Sequence, residues 1–332
     1  MTNFRLTFPV SPIATPVQYS DKILLMGSCF AEEIGERLQQ YHFDALVNPH
    51  GILYNPISIT QALHTYLDGK QYTADDLFSH GDLWHSWDHH SRFSGMQMEQ
   101  VLAGINAAQE SAAKRLEEAD WLIITLGSAY TYTLASGNQV VGNCHKVASA
   151  HFHKKLLSPP DAISALDNLM HRLFFRNRKV KILFTISPVR YARDGVVENN
   201  LSKAVLIQTV HHLVNKFDRL FYFPAYELVI DDLRDYRFYK EDLVHPNELA
   251  VNYVWDHFTA SCVSEEGRRL LPLIADINRA RQHRPFNPAS SQHQQFLQTY
   301  AGKTRQLMKQ YSFLRLEETL AYFEGALVSG ID

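Results

Sequence analysis

Apolar runs of strand length alternate with amphipathic stretches along the first two thirds of the chain. The runs lie at residues 23–26, 45–48, 121–126, 180–186 and 220–223. Strands that are apolar on both faces are typical of a parallel sheet covered by helices on both sides. Apolar residues recur every three or four positions at 29–41, 56–67, 98–119, 161–176 and 199–217, which predicts helices. The alternation predicts a three-layer α/β/α sandwich around a parallel five-stranded sheet with a flavodoxin-like strand order.

Two insertions and a helical tail extend this pattern. Residues 70–97 and 128–160 are too long for plain connections, and we expect ordered, cap-like insertions there. Beyond residue 247 the periodicity is helical only, at 248–263, 265–282, 290–311 and 314–327. The sequence therefore predicts a main domain over residues 1–255 and an all-helical extension over residues 256–332.

The composition narrows the class of protein. The 332 residues carry a formal net charge of −3, so no basic field favours nucleic acid as a partner. Three widely spaced cysteines, Cys29, Cys144 and Cys262, argue against a disulfide framework and for a reducing compartment. Residues 1–22 lack a signal-peptide pattern, and no stretch approaches the ~20 apolar residues of a membrane helix. We expect a cytoplasmic protein without a membrane partner.

Two nucleophilic side chains stand where the first predicted strand meets the first predicted helix. There Gly27 is followed by Ser28 and Cys29. Ligands bind beyond the carboxyl ends of the strands in an open α/β sheet, and amides at a helix N-terminus can stabilise an oxyanion. A helix N-terminus should also lower the pKa of the Cys29 thiol. The alternative is a structural turn in which Ser28 caps the helix and Cys29 packs in the core.

A carboxylate and an imidazole stand three residues apart before a later helix. Asp242 can hold one nitrogen of His245 while the other nitrogen faces a nucleophile, as in a catalytic triad. Alone, such a pair is more often a capping aspartate and a surface histidine. The nucleophile turn follows the first strand and the pair follows the last, so both should lie on the carboxyl edge of the sheet. Together they predict an acyl-transfer site.

Residues 27–31, Gly-Ser-Cys-Phe-Ala, resemble the signature of the GSCFA family. Similar stretches lie at 48–56, 127–132, 143–146, 185–190 and 234–239, and the resemblance spans about residues 20–255. The family is grouped with the SGNH/GDSL hydrolases. This grouping implies a flavodoxin-like sheet and a Ser-His-Asp site that acts on short acyl esters.

The superfamily motifs map onto the chain with gaps. An ungapped match sets Cys29 against the superfamily serine, whereas a shift by one residue makes Ser28 the nucleophile. Asp242 and His245 match the last motif, and Gly51 matches a glycine whose amide binds the oxyanion. The asparagine expected after Gly127 is missing, because serine, alanine and tyrosine follow there. The other candidates for oxyanion or substrate binding are Asn55, His90, Tyr130, Asn143, His145 and Arg190.

We therefore predict an acyl-ester hydrolase, of the esterase or deacetylase kind, that acts on an O-acylated small molecule or carbohydrate. The alternatives are an acyltransferase with Cys29 as its nucleophile and a ligand-binding module without turnover. We expect no cofactor. Residues 88–90, Asp-His-His, resemble a metal-binding run, but the aromatic residues around them favour a cap or a sugar-stacking loop, so we expect no metal. Those neighbours are Trp84, Trp87 and Phe93, together with Arg92.

Overall fold

The computed structural model of the protein describes residues 6–328. The strands are β1 (Lys22–Gly27), β2 (Asp44–Val47), β3 (Leu77–His80), β4 (Leu83–Ser86), β5 (Trp121–Leu126), β6 (Tyr130–Leu134), β7 (Val140–Val141), β8 (Phe152–Leu156), β9 (Lys181–Ile186) and β10 (Leu220–Phe223). The helices are α1 (Cys29–Gln40), α2 (Pro56–Asp68), α3 (Met98–Glu118), α4 (Pro159–Arg176), α5 (Val196–Lys216), α6 (Ala225–Glu227), α7 (Glu248–Cys262), α8 (Glu265–Gln282), α9 (Ser291–Gln310) and α10 (Glu317–Val328).

The central sheet has five parallel strands in the order β2-β1-β5-β9-β10. Counted along the chain, this is the order 2-1-3-4-5 of flavodoxin-like folds. Helices cover both faces, because Leu24 and Met26 of β1 pack into the core under α2–α5, whereas Ile23 and Leu25 pack into the core under α1 and α7. The predicted three-layer α/β/α class is confirmed.

The strand order reverses beside β1. Its neighbours are β2 on one side and β5 on the other, and Gly27 at the end of β1 pairs with Thr125 of β5. In open α/β sheets the ligand crevice lies outside the carboxyl ends of the strands at such a switch point. The fold therefore sets the turn after Gly27 at the edge of the sheet where a site is expected.

The C-terminal helices share a core with the sheet. Their buried apolar side chains lie in one continuous cluster with Tyr19, Phe30 and Phe43 of the main domain. The largest buried side chains of these helices and of the segment before α10 are Leu270, Ile274, Ile277, Leu297, Leu307, Leu314, Leu316 and Phe323. The predicted helical extension is confirmed as a set of helices, and it packs against α1 and α7 rather than standing apart. Residues 1–5 and 329–332 of the predicted domains lie outside the described residues.

Both insertions are ordered small sheets. Residues 70–97 contain the antiparallel hairpin β3–β4, and residues 128–160 form an antiparallel sheet in the order β7-β6-β8. Within residues 6–328, no helix combines the length and the apolar character needed to cross a bilayer.

Candidate active site

The turn between β1 and α1 requires glycine at its first position. Gly27 has a φ of +140°, and a Cβ atom there would lie 2.1 Å from the carbonyl oxygen of Thr125. The Gly27 amide donates to Oδ1 of the fully buried Asn48 at 2.8 Å. The close approach of β1 to β5 and the hydrogen bond to Asn48 together fix the backbone at Gly27, from which Ser28 and Cys29 follow.

Ser28 is the N-cap of α1. Its Oγ accepts a hydrogen bond from the Phe30 amide at 3.3 Å, and the residue is only 1% exposed. Capping by a serine hydroxyl satisfies one of the amides that a helix leaves without a partner at its first turn. The Ser28 hydroxyl is therefore engaged in a structural role.

Cys29 is partly exposed and opens into a small cavity of about 30 Å³ between the ends of β1, β5 and β9. The cavity is lined by Ser28, Cys29, Tyr54, Gly127, Ser128, Ser187, Val189, Arg190 and Tyr191. Burial raises the pKa of the Cys29 thiol above its ordinary value, although the Phe30 amide acts in the opposite direction. The carboxylates of Glu32 and Glu33 also raise this pKa. The expectation of a lowered thiol pKa is wrong, because burial outweighs the effect of the helix end.

The Asp242–His245 pair forms as predicted. Nδ1 of His245 lies 2.7 Å from Oδ2 of Asp242, and Oδ1 accepts from the amides of His245 at 3.0 Å and Val244 at 2.9 Å. These amide hydrogen bonds hold the pKa of the Asp242 carboxyl well below its usual range. Leu243 adopts a φ of +57°, a strained conformation for a branched side chain. The two side chains are 43% and 48% exposed, so the imidazole edge opposite Asp242 is accessible.

This turn is attached to one wall of the Cys29 cavity and to α1. Arg190, which lines the cavity, donates from Nη1 to the carbonyl of Leu243 at 3.1 Å and from its amide to Val244 at 3.2 Å. Nζ of Lys240 lies 3.8 Å from Oε1 of Glu33 of α1. The structure thus anchors the pair to the same rim of the sheet as Cys29.

A larger cleft of about 760 Å³ adjoins the small cavity and shares the walls Tyr54, Ser128 and Tyr191 with it. Most of its lining comes from the 128–160 insertion, α2 and the loop after β9: Asn55, Tyr130, Tyr132, Val141, Gly142, Asn143, Cys144, His145, Lys146, Val147, Ala148, Ser149, Phe152, Lys154, Arg193 and Asp194. The sequence candidates Asn55, Tyr130, Asn143 and His145 are therefore brought together in this cleft, and Arg190 lies in the small cavity.

Several polar atoms of these candidates already have partners. Oδ1 of Asn55 caps α2 by accepting from the Ser58 amide at 2.9 Å. Oδ1 of Asn143 accepts from the His145 amide at 2.8 Å, and Nε2 of His145 lies 2.8 Å from the carbonyl oxygen of Ser86. Burial lowers the pKa of His145 to about 4, so its ring is neutral near pH 7.

Gly51 and His90 line neither of these two cavities, so the structure does not bring them together with the other predicted oxyanion and substrate-binding residues. The Gly51 amide donates to the Asn48 carbonyl at 2.7 Å and is not free to bind an oxyanion. A Cβ at Gly51 would lie 2.2 Å from Cβ of His90, so the glycine permits close packing. His90 accepts from the Arg92 amide at 3.4 Å and begins a short 3₁₀ turn.

The aromatic residues around Asp88 form the interior of the 70–97 insertion rather than a sugar-stacking surface. Trp87 stacks on Phe78 with ring centroids 3.6 Å apart, while Trp84 and Phe93 pack against a small core with Leu77 and Val101. None of these four aromatic side chains lines the large cleft. The expectation of a sugar-stacking loop at residues 84–93 is wrong.

Three polar side chains of α5 support the site and are not among the candidates named from the sequence. Oδ1 of Asn199 accepts from the Tyr191 amide at 2.9 Å, and Oγ of Ser202 accepts from the Ala129 amide at 2.7 Å. Nζ of Lys203, a fully buried residue, donates to the carbonyl oxygens that follow β5 and β9. Their signal in the sequence is polar residues at i, i+3 and i+4 on a helix face that is otherwise apolar.

A comparison against protein families identifies the family of the chain. A model of the GSCFA family matches residues 22–258. The chain belongs to the GSCFA family. A second model, the GSCFA domain protein C-terminal domain, matches residues 274–329. The predicted domain boundary at residue 255 falls inside α7, whereas the ranges matched by the two family models are separated by residues 259–273. No curated protein matches the chain.

Each residue of the GSCFA signature has a distinct physical role in this chain. Gly27 permits the close approach of β1 to β5, and Ser28 caps α1. Ser28 and Cys29 both line the cavity, but Cys29 alone of the five residues is partly exposed. Phe30 and Ala31 are 2% and 1% exposed and pack into the core. The signature thus combines a turn, a cap, one accessible thiol and a core anchor.

Proposed function

We propose that the protein is an acyl-transfer enzyme of the SGNH kind in which Cys29 attacks an ester, His245 transfers the proton and Asp242 orients the imidazole. The observation that carries the proposal is that the two residues after Gly27 have different roles. The Ser28 hydroxyl caps α1, while the Cys29 thiol opens into a cavity to whose rim the Asp242–His245 turn is attached. The strand order 2-1-3-4-5 and the location of both motifs on one edge support the SGNH grouping.

The raised pKa of Cys29 determines what the mechanism requires. A protonated thiol is a weak nucleophile, so attack needs a base. With Nδ1 of His245 held by Asp242, Nε2 accepts the thiol proton as sulfur bonds to the carbonyl carbon. The carbonyl electron pair moves to oxygen, returns as the C–O bond of the alcohol breaks, and the alcohol leaves with the proton from His245. Water then cleaves the thioester by the same steps.

The oxyanion donor is best supplied by the Cys29 amide. This amide lies in the first turn of α1, where a helix leaves N–H groups without intrahelical acceptors, and no backbone acceptor within residues 6–328 is bonded to it. The positive end of the helix dipole adds to its effect. This amide would supply one of the hydrogen bonds to the oxyanion, in place of the asparagine that is missing after Gly127.

The two adjoining cavities suggest where the acyl part and the alcohol part of an ester would bind. The small cavity of about 30 Å³ suits a short acyl group such as acetyl, since one water occupies roughly 10–15 Å³ by the same kind of measure. The cleft of about 760 Å³ suits the alcohol part, and its tyrosine walls favour a carbohydrate or another ring-bearing molecule. We therefore propose an O-acylated carbohydrate or small molecule as the substrate, with hydrolysis as the reaction.

The proposal is tested by hydrolysis of p-nitrophenyl acetate by wild type and His245→Ala. We expect the variant to lose nearly all turnover, because it lacks the base. Its thermal midpoint should change little, since the side chain is 43% exposed. Full activity in His245→Ala would refute the assignment of His245 as the base. If wild type itself shows neither turnover nor labelling by acyl donors, a ligand-binding role replaces the enzymatic one.

A further inference from the structure

A tyrosine stands between the small cavity at Cys29 and the large cleft. Three residues, Tyr54, Ser128 and Tyr191, line both spaces. Ser128 is 4% exposed and its Oγ lies 3.3 Å from Oγ of Ser202, so it belongs to the fixed wall beneath. Tyr54 is 38% exposed, and its side chain therefore projects between the two spaces.

The main chain of Tyr54 is bonded to the ends of two central strands. Its carbonyl oxygen accepts from the amides of Gly127 at 2.8 Å and Ser128 at 3.0 Å, directly after β5. The amide of the preceding residue, Leu53, donates to the carbonyl oxygen of Gly27 at 3.0 Å, at the end of β1. The tyrosine side chain therefore starts from a fixed backbone.

The Tyr54 ring packs on Gly127, next to the residue that precedes Cys29. A Cβ atom at Gly127 would lie 3.0 Å from Cδ1 of Tyr54 and 3.2 Å from Cβ of Ser28. The Tyr54 ring and the Ser28 side chain thus lie against the same point of the chain. In the part of the chain that the structure describes, the Tyr54 hydroxyl has no hydrogen-bond partner, so packing holds the ring.

The other tyrosine of the boundary is held by different elements. The Tyr191 hydroxyl lies 2.9 Å from the hydroxyl of Tyr132 in the 128–160 insertion, and the Tyr191 amide donates to Oδ1 of Asn199 at 2.9 Å. Tyr191 is therefore tied to the insertion and to α5. Of the two tyrosines, Tyr54 is the one that packs on Gly127 together with Ser28.

The wall between the two spaces determines how large a group can bind at Cys29. The small cavity measures about 30 Å³ and the cleft about 760 Å³. Without the Tyr54 ring the two would join, and a chain bound at Cys29 could extend into the cleft. A single methylene more or less in a close-fitting pocket changes the rate by about 10- to 200-fold.

We propose that Tyr54 is a specificity-determining residue, whose ring forms the wall between cavity and cleft and admits only a short acyl group at Cys29. The inference rests on the proposed function only where it concerns acyl groups. The wall itself can be measured through the thiol without any ester, so the two claims can fail separately.

The first test compares alkylation of Cys29 by N-methylmaleimide and N-benzylmaleimide at about pH 8.5, followed by mass spectrometry of the Cys29 peptide. Each rate is divided by the rate of the same reagent with glutathione. Both reagents meet the same fraction of thiolate, so the thiol pKa cancels in the ratio. Wild type should react at least about tenfold more slowly with the benzyl reagent, and Tyr54→Ala should reduce this difference to less than about threefold.

Three further variants separate the ring from other effects. Tyr54→Phe keeps the ring and loses the hydroxyl, so it should behave as wild type. Tyr54→Leu keeps an apolar contact with Gly127 without the ring, and it decides the question if Tyr54→Ala does not fold. Tyr322→Ala is the matched control, because Tyr322 is 39% exposed and lines neither space.

The second test measures turnover of p-nitrophenyl acetate, butanoate and hexanoate by the same proteins. Wild type should prefer the acetate by at least about tenfold over the butanoate, because two more methylenes do not fit the cavity. In Tyr54→Ala the rate with butanoate, relative to acetate, should rise by about tenfold. Tyr54→Phe and Tyr322→Ala should keep the wild-type preference.

Equal normalised rates of the two maleimides with wild type overturn the wall, and so does a wild-type ratio in folded Tyr54→Leu. A changed ratio in Tyr54→Phe overturns the role of the ring, because the hydroxyl is then responsible. A changed alkylation ratio with an unchanged ester preference overturns the selection of the acyl group. If wild type hydrolyses none of the three esters, the proposed function fails together with acyl selection, and the alkylation ratio alone decides whether the wall exists.

Discussion

Replacement of Ser28 and of Cys29 by alanine, one at a time, separates the cap from the nucleophile. Ser28→Ala removes the hydroxyl that accepts from the Phe30 amide at 3.3 Å. Loss of a serine cap costs about 1 kcal/mol, which corresponds to a fall of about 2 °C in Tm for a chain of this size. Because the hydroxyl takes no part in the proposed chemistry, turnover should fall less than about tenfold.

Cys29→Ala should show the reverse pattern. The side chain is only partly buried, so its truncation should cost less than about 1 kcal/mol of stability. Turnover should fall by at least about 10⁴-fold, because without the thiol no covalent intermediate can form. Cys29→Ser is the matched control: it keeps the size of the side chain and should remain strongly impaired, since a hydroxyl needs a stronger base than a thiol.

The assay combines initial rates on p-nitrophenyl acetate with Tm values and labelling of the same samples. Burial raises the pKa of Cys29 above 9.0, so iodoacetamide inactivation should accelerate as the pH rises through and beyond that value, rather than level off near neutrality. A fluorophosphonate should not label Ser28. Loss of turnover in Ser28→Ala, with fluorophosphonate labelling and an active Cys29→Ala, would refute this reasoning and assign the serine as the nucleophile.

Four further outcomes follow from the described contacts. Gly27→Ala should lower the unfolding free energy by about 3 kcal/mol or more in thermal melts, because its Cβ would lie 2.1 Å from the Thr125 carbonyl oxygen. A chain cut after residue 283 should fail to fold by circular dichroism: it loses five large buried side chains, at about 2 kcal/mol each, from a total near 5–15 kcal/mol. Asp242→Asn should reduce kcat by about 10⁴-fold. Because the amides of His245 and Val244 lower the pKa of Asp242, wild type should keep this carboxylate ionised at a pH where an ordinary aspartate is already protonated. The pKa of Lys203 is about 7 in the folded state and about 10.4 in the unfolded state, so the unfolded state binds more protons between these two values. The free energy of unfolding, measured with urea, should therefore gain a contribution from Lys203 that rises from pH 7 to pH 10. This contribution should be absent in Lys203→Met.

The layers of the fold could be predicted because their signals are strong and local. The runs at 121–126 and 220–223 agree with β5 and β10 at both ends, since buried parallel strands are apolar on both faces. The strands of the two insertions were not predicted. The strand β8, Phe-His-Lys-Lys-Leu, is mostly polar and exposed, so its pairing with β6 leaves no periodic apolar signal.

The site could be located from sequence but not resolved into roles. The order of strands placed Cys29 and the Asp242–His245 pair on one edge, because every parallel strand ends there. The choice between Ser28 and Cys29 depends on which side chain caps α1 and which one stays partly exposed, and the sequence does not show this. Lys203 could not be assigned for the same reason, since its two acceptors lie on loops far from it along the chain.

The groups of the proposed chemistry differ in burial. We call the buried side of the Cys29 cavity, with Cys29 and Lys203, the floor, and the exposed Asp242–His245 pair the rim. At the floor, burial favours the neutral forms of both Cys29 and Lys203, since it raises the pKa of the thiol and lowers the pKa of the amine. At the rim, His245 and Asp242 are nearly half exposed and can exchange protons with water. A thiolate formed at the floor is therefore short of solvent and reactive, and the proton that it loses must leave through the rim. Any variant that buries His245 should thus slow proton exchange and turnover together, even when the thiol itself is intact.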